Sequence, residues 1–209
     1  MRILIAGSTY PPHNSGQSIF TSNLANSMAE FGHDVMVLTP SVIGQPSRRI
    51  TQNGILHWVV RSLDLSILHQ DLYIAFNYEG MVNEALDTFQ PEIIHLQDSA
   101  PLSCYILRAA RQRDIPAVIT HHIGPAIGAP YLTWFTNLFN GKMEAVVWSW
   151  VIRFLNQADV LTAPSTAAAN MLRSRHVKPP VWPISCGVST RQFRAPACRA
   201  KQALREVWG

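Results

Sequence analysis

The chain has 209 residues, of which 47% are hydrophobic and 14% charged, with a formal net charge of +4 and a mean hydropathy of +0.06. That length fits one or two domains, and the charged share lies well below the roughly 25% usual in soluble domains, so much of the chain expects burial or a partner. Wholesale disorder is excluded because disordered chains are polar and charge-rich, and a fibrous chain is excluded because 11 Gly and 14 Pro follow no period.

The apolar run Arg2 to Ala6 ends at Gly7 and reads as a buried first strand. A polar loop from Ser8 to Gly16 follows. From Gln17 to Phe31, apolar and small residues recur at three-and-four spacing, which predicts a helix with Gly32 as its C-terminal stop. Asp34 to Thr39 is the second strand, completing a βαβ unit. The polar stretch Arg48 to Asn53 precedes a strand over Gly54 to Val60. A helix is expected over Leu72 to Phe89, a strand over Ile93 to Leu96, a helix over Leu102 to Arg113 and a strand over Pro116 to Thr120. Tyr131 to Asn156 reads as a long, Trp-rich helix broken near Gly141. The last elements are a strand over Val160 to Pro164, a helix over Thr166 to Arg175 and a strand over Val181 to Ile184. This alternation implies an α/β fold with a single doubly wound, mainly parallel sheet.

Charge is uneven. Residues Arg173 to Gly209 hold eight basic side chains against the single acid Glu206, and the rest of the chain is net negative. The basic residues are interrupted by Pro and apolar positions, so a solvated or partner-facing segment is favoured over a nucleic-acid interface. Cys104, Cys186 and Cys198 are odd in number and contain no CxxC, which argues against a disulfide framework or structural zinc and for a reducing, cytoplasmic setting. The apolar N-terminus is too short for a signal peptide. The most hydrophobic stretch, Met143 to Leu155, is shorter than the roughly 20 residues a spanning helix needs. Trp134, Phe135, Phe139, Trp148, Trp150 and Phe154 lie on or near it. With Lys142 and Arg153 as its basic residues, the segment predicts a core helix rather than a strong lipid-binding face, with a weak membrane-surface contact as the alternative.

Ligands of open α/β sheets bind beyond the carboxyl ends of the strands. That edge collects Ser8 through Gln17, then Gln97, Asp98 and Ser99, then His121 and His122, then Ser165. Each has two readings. Ser165 is a helix N-cap or a cleft residue, and Asp98 a turn residue or a cleft residue. His121 and His122 adjoin in an extended segment, so one packs inward while the other faces the cleft. Ser15, Gly16 and Gln17 open the first helix, where backbone amides attract anions, or they form a flexible loop. The Rossmann GxGxxG, the P-loop, a DxD metal cradle and a GxSxG elbow are all absent from the sequence.

Met1-Arg2-Ile3-Leu4-Ile5 is followed by Pro11-Pro12 and Ser15-Gly16-Gln17, then by Gly32-His33-Asp34-Val35 and Pro91-Glu92-Ile93-Ile94-His95. Thr120-His121-His122, Ala158-Asp159-Val160 and Cys186-Gly187-Val188 with Phe193 come after them. In this order and spacing the segments resemble the N-terminal domain of family 4 glycosyltransferases of the GT-B fold. The resemblance implies a domain over residues 1–190, with 191–209 starting the linker to a C-terminal donor-binding domain. It implies retaining, metal-independent transfer of a sugar from a nucleotide-sugar donor, with no cofactor, to a sugar or lipid-linked acceptor. By position, His122 lies near the transferred sugar as the catalytic residue. Ser15, Gly16 and Gln17 approach the donor phosphate, and Asp98, His121 and Ser165 line the cleft. Ser15 replaces a glycine of the family's usual pair, and Cys186 and Ser189 replace its Asn and Asp. The resemblance implies that this half alone is inactive and needs the C-terminal domain in cis or in trans. Alternatives are a stand-alone binding module, a subunit of a split enzyme, or a sugar-nucleotide epimerase-like protein.

Overall fold

The computed structural model describes residues 1–13, 15–41, 46–64, 73–122 and 142–187. An eight-stranded sheet runs through it. Its strands are β1 (Arg2–Ala6), β2 (Asp34–Pro40), β3 (Arg48–Gln52), β4 (Ile55–Val60), β7 (Ile93–Leu96), β8 (Ala117–Thr120), β9 (Val160–Ala163) and β10 (Val181–Pro183). Strands β5 (Ser62–Asp64) and β6 (Tyr73–Ala75) form a separate antiparallel pair. The helices are α1 (Gly16–Glu30), α2 (Glu79–Phe89), α3 (Pro101–Arg111), α4 (Lys142–Leu155) and α5 (Thr166–Ser174).

Sheet order is β10-β9-β8-β7-β1-β2-β4-β3. Every pairing is parallel except that of β3 with β4. β1 pairs β2 on one side and β7 on the other. Strand order reverses there, which opens a crevice at the carboxyl ends of β1 and β7.

The central strands alternate between two cores. Leu4, Ala6, Ile94, Leu96, Ile119 and Leu161 face a large cluster with α2, α3, α4 and α5. Ile3, Ile5, Val35 and Val37 face a smaller cluster that Ala25 of α1 closes from the opposite side. Helices therefore cover both faces, as the doubly wound reading expects. Each fully buried Leu or Ile here contributes about 1.5–3 kcal/mol. Local signals set the helix ends. Ser15 caps α1, its Oγ accepting from Ser18 N at 3.1 Å, and Gly32, at φ +84°, follows its end. Pro101 opens α3, where no backbone donor is needed.

Two expectations need correction. The polar stretch before β4 is a strand, β3, because a fully exposed edge strand has no apolar face to show. Asn53 and Gly54, both at positive φ, make its hairpin turn. The helix expected from Leu72 begins at Glu79, because Tyr73–Ala75 pairs with β5 and Asn77 turns at positive φ. Of the long Trp-rich helix, α4 is described from Lys142. Trp148 and Phe154 are buried, Trp150 and Val146 exposed, and Trp134, Phe135 and Phe139 lie outside the described residues. Residues 191–209 lie outside them too. No helix among the described residues is long and apolar enough to cross a membrane.

Candidate functional site

The crevice between β1 and β7 is bridged by one carboxylate. Asp98 follows β7, and its Oδ2 accepts from the Ser8 backbone N–H and from Gln17 Nε2 at 2.8 Å. Its Oδ1 accepts from Ala100 N at 2.9 Å and Ser103 Oγ at 2.8 Å. One side chain thus ties the loop after β1, the first turn of α1 and the start of α3. Both oxygens are occupied by the fold, and Gln17 is occupied with them. Gly7 makes this approach feasible: a Cβ there would lie 3.0 Å from Gln97 Cβ, 3.3 Å from Gln17 Nε2 and 3.4 Å from Asp98 Oδ2.

Gly16 is the opposite case. It is the first residue of α1, and a Cβ added there would meet nothing within 4 Å among the described residues. The first turn carries no acidic residue. Its amides and the helix dipole therefore present a positive, open end. Ser15 supports this end as N-cap, and its Oγ also lies 3.2 Å from Thr9 Oγ1.

His121 and His122 divide as strand alternation requires. His121 is 8% exposed, with its ring tilted 6.1 Å from Trp148 of α4 and its Nε2 without a partner among the described residues. His122 points to the α1 side. Its Nε2 lies 2.9 Å from Gln97 Oε1, and Phe20 of α1 meets its ring edge-on at 4.7 Å. Burial lowers its pKa and the Asp98 carboxylate opposes that only in part, so the ring is neutral at pH 7. Burial, with a smaller effect from His122, pulls His121 down to about 4.

Below His122 on the same face runs a hydrogen-bonded row that the sequence analysis did not single out. His95 Nε2 lies 2.6 Å from Thr120 Oγ1, which lies 2.6 Å from Thr162 Oγ1. The row floors a groove of about 970 Å³ walled by Phe20, Leu24 and Ile184. Its signal was available in the period of two: His95 and Gln97 share one face, as do Thr120 and His122. Ser165 stands apart as the N-cap of α5, its Oγ accepting from Ala168 N at 3.2 Å. Among the described residues, no group of three His, Cys, Asp or Glu is placed to hold a metal ion.

Burial, reinforced by His122, also lowers the His95 pKa to about 4. A histidine depressed from 6.5 stabilises the fold fully above pH 6.5 and loses that contribution as pH falls toward 4. The slope is about 1.4 kcal/mol per pH unit for one ring. His95→Gln, whose amide can replace Nε2, is expected to flatten the loss by about 2 kcal/mol at pH 5. Urea midpoints between pH 7 and pH 4.5 test this, and parallel curves for the two proteins would refute it.

The model of the family described as Glycosyltransferase Family 4 matches residues 14–192. A GDP-mannose-dependent alpha-mannosyltransferase of Mycolicibacterium smegmatis is 26% identical over all of this chain and 53% of its own length. Its Mycobacterium tuberculosis counterpart is 25% identical over 52% of its length. The chain therefore spans about half the length of the curated relatives it matches. Among solved structures, a sucrose-phosphate synthase from Thermosynechococcus elongatus superposes with a TM-score of 0.64 at 15% identity, covering 98% of this chain and 52% of that one. The catalytic domain of starch synthase IV from Arabidopsis thaliana gives 0.58 at 12% identity, covering 95% and 54%. With its eight-stranded Rossmann-like sheet and a family match over most of its residues, the chain belongs to glycosyltransferase family 4.

Proposed function

We propose that this chain is the acceptor-side half of a retaining, metal-independent glycosyltransferase. It would move mannose from GDP-mannose to a sugar or lipid-linked acceptor. The observation that carries the reading is the uncovered N-terminus of α1 at Gly16, set at the strand-order reversal of a family 4 domain. A donor diphosphate approaches such an end without a clash, and the first-turn amides stabilise its charge. The relatives' names supply the donor, and an alpha product from an alpha-linked donor is retention.

His122 is the catalytic residue in this reading. A neutral imidazole facing the crevice can accept a hydrogen bond from a hydroxyl of the transferred sugar. It also places no positive charge beside an oxocarbenium-like transition state. Asp98 acts by holding the loop after β1 and the first turn of α1, whereas His121 packs behind the sheet against Trp148 and Ser165 caps α5. Ser15 and Gln17 fix the helix end that Gly16 presents.

The curated relatives are about twice as long, and a second Rossmann domain is the partner this half-cleft needs. Leaving-group stabilisation requires cations on the far side of the donor, and positioning requires both walls. The chain alone is therefore expected to be inactive.

The test is transfer from labelled GDP-mannose, with the donor-binding domain of a relative supplied in trans. Transfer should need both halves, survive EDTA and yield the alpha anomer. His122→Ala should lower kcat about 100-fold. Full turnover by the chain alone, or by the His122→Ala protein, would overturn the reading.

A further inference from the structure

Gln97 carries the two observations that lead furthest. Its carboxamide Oε1 lies 2.9 Å from His122 Nε2. Its Nε2, on a side chain that is 1% exposed, has no hydrogen-bond partner among the described residues. An orphaned buried N–H donor is destabilising, so the contact with His122 is held against a penalty. Leu or Met would fill the same space without it.

The side chain has little freedom to turn elsewhere. Gln97 N donates to Ala6 O at 2.9 Å, extending the β1–β7 ladder by one residue. Its Cβ fills the space that Gly7 leaves empty. The next residue is Asp98, pinned by four donors. On the other side, Phe20 closes edge-on against the His122 ring. The ring is thus held between an aromatic edge and one amide oxygen.

We propose that Gln97 is a positioning residue that fixes His122 in the Nε2–H tautomer, leaving Nδ1 as the unprotonated nitrogen of the ring. An amide oxygen only accepts, so the histidine nitrogen facing it carries the proton. In a neutral ring the other nitrogen is then the acceptor. This inference rests on the transferase reading for its consequence: His122 meets the donor sugar as a hydrogen-bond acceptor, so it selects a hydroxyl donor at that point and does not protonate the leaving group.

The experiment reads the ring and the reaction separately. Ring-nitrogen NMR on the histidine-labelled chain at pH 7.5 should show a protonated Nε2 and an unprotonated Nδ1 for His122. Gln97→Leu should convert this to a mixture of tautomers, and Gln97→Glu, which keeps an acceptor, should restore the Nε2–H form and raise the His122 pKa. Removal of the orphaned donor should leave Gln97→Leu folded, which amide dispersion checks in the same spectra.

With the donor-binding domain supplied, Gln97→Leu should lower kcat roughly 10- to 100-fold, with KM for GDP-mannose within about twofold. Gln97→Glu should recover most of that loss at alkaline pH. An Nδ1–H ring in the unsubstituted chain, or a tautomer indifferent to Gln97→Leu, overturns the proposal. So does a released tautomer with full kcat. If the unsubstituted pair transfers no sugar, the transferase reading fails, while the ring shifts still decide whether Gln97 holds His122.

Discussion

Asp98→Ala should lower the unfolding free energy by about 2–4 kcal/mol, the largest stability loss expected from a polar substitution in this molecule. Four donors converge on its two oxygens from the loop after β1, α1 and the start of α3. Two of them are backbone N–H groups, of Ser8 and Ala100, which the alanine protein cannot redirect without moving the chain. Hydrogen bonds to an ionised acceptor are about twice as strong as neutral ones, so the loss exceeds that of four weak contacts on a solvated turn. Asp98→Asn separates charge from shape. Its carbonyl oxygen can serve Ala100 and Ser103, but its NH2 then faces the Ser8 N–H and Gln17 Nε2, donor against donor. About half of the alanine penalty should remain. Urea unfolding with equal slopes for the three proteins measures the effect. A change below about 0.5 kcal/mol in the alanine protein would mean that Asp98 is a dispensable surface residue.

The sheet was legible in the sequence where burial imposes one pattern. β1, β2, β7, β8 and β9 are apolar runs because both of their faces are covered, and each lies within a residue or two of its expected place. β3 was missed because the same rule gives no signal for an edge strand, although Asn53-Gly54 marks its turn. The start of α2 was misplaced because Tyr73–Ala75 owes its conformation to a partner strand, which local periodicity does not reveal. At the crevice, strand-end geometry collected Ser8, Gln17, Asp98 and His122 from the sequence, together with His121 and Ser165, which turn elsewhere. Their partners were not legible. Asp98 reaches Gln17 across 81 positions because strand order reverses between β1 and β7, and His122 meets Gln97 across 25 because β7 and β8 lie side by side. The fixed offset of 25 recurs in His95 with Thr120, since both pairs lie on one face of adjacent parallel strands. A single sequence shows that offset only to a reader who already has the register.

Gly16→Asp should move stability and ligand binding in opposite directions. The position is the first residue of α1, its φ is unstrained, and a side chain there enters open space. An aspartate in a first turn that lacks any acid complements the helix dipole by about 0.3–1 kcal/mol, and replacing glycine within a helix adds a few tenths more. Since about 1 kcal/mol shifts the melting point of a domain this size by roughly 2–4 °C, Tm should rise by a few degrees. The same carboxylate occupies the place proposed for the donor diphosphate. Like charges set against each other at a binding interface cost several kcal/mol, so affinity for GDP-mannose, measured by calorimetry on the chain paired with a donor-binding domain, should fall more than about 100-fold. Gly16→Ala supplies the control. It gains helix propensity, adds no charge and should weaken binding only through the volume of its methyl group. A variant that is more stable yet blind to the donor excludes misfolding as the cause of the loss. Unchanged affinity in Gly16→Asp would move the diphosphate away from the N-terminus of α1 and remove the observation on which the proposed function rests.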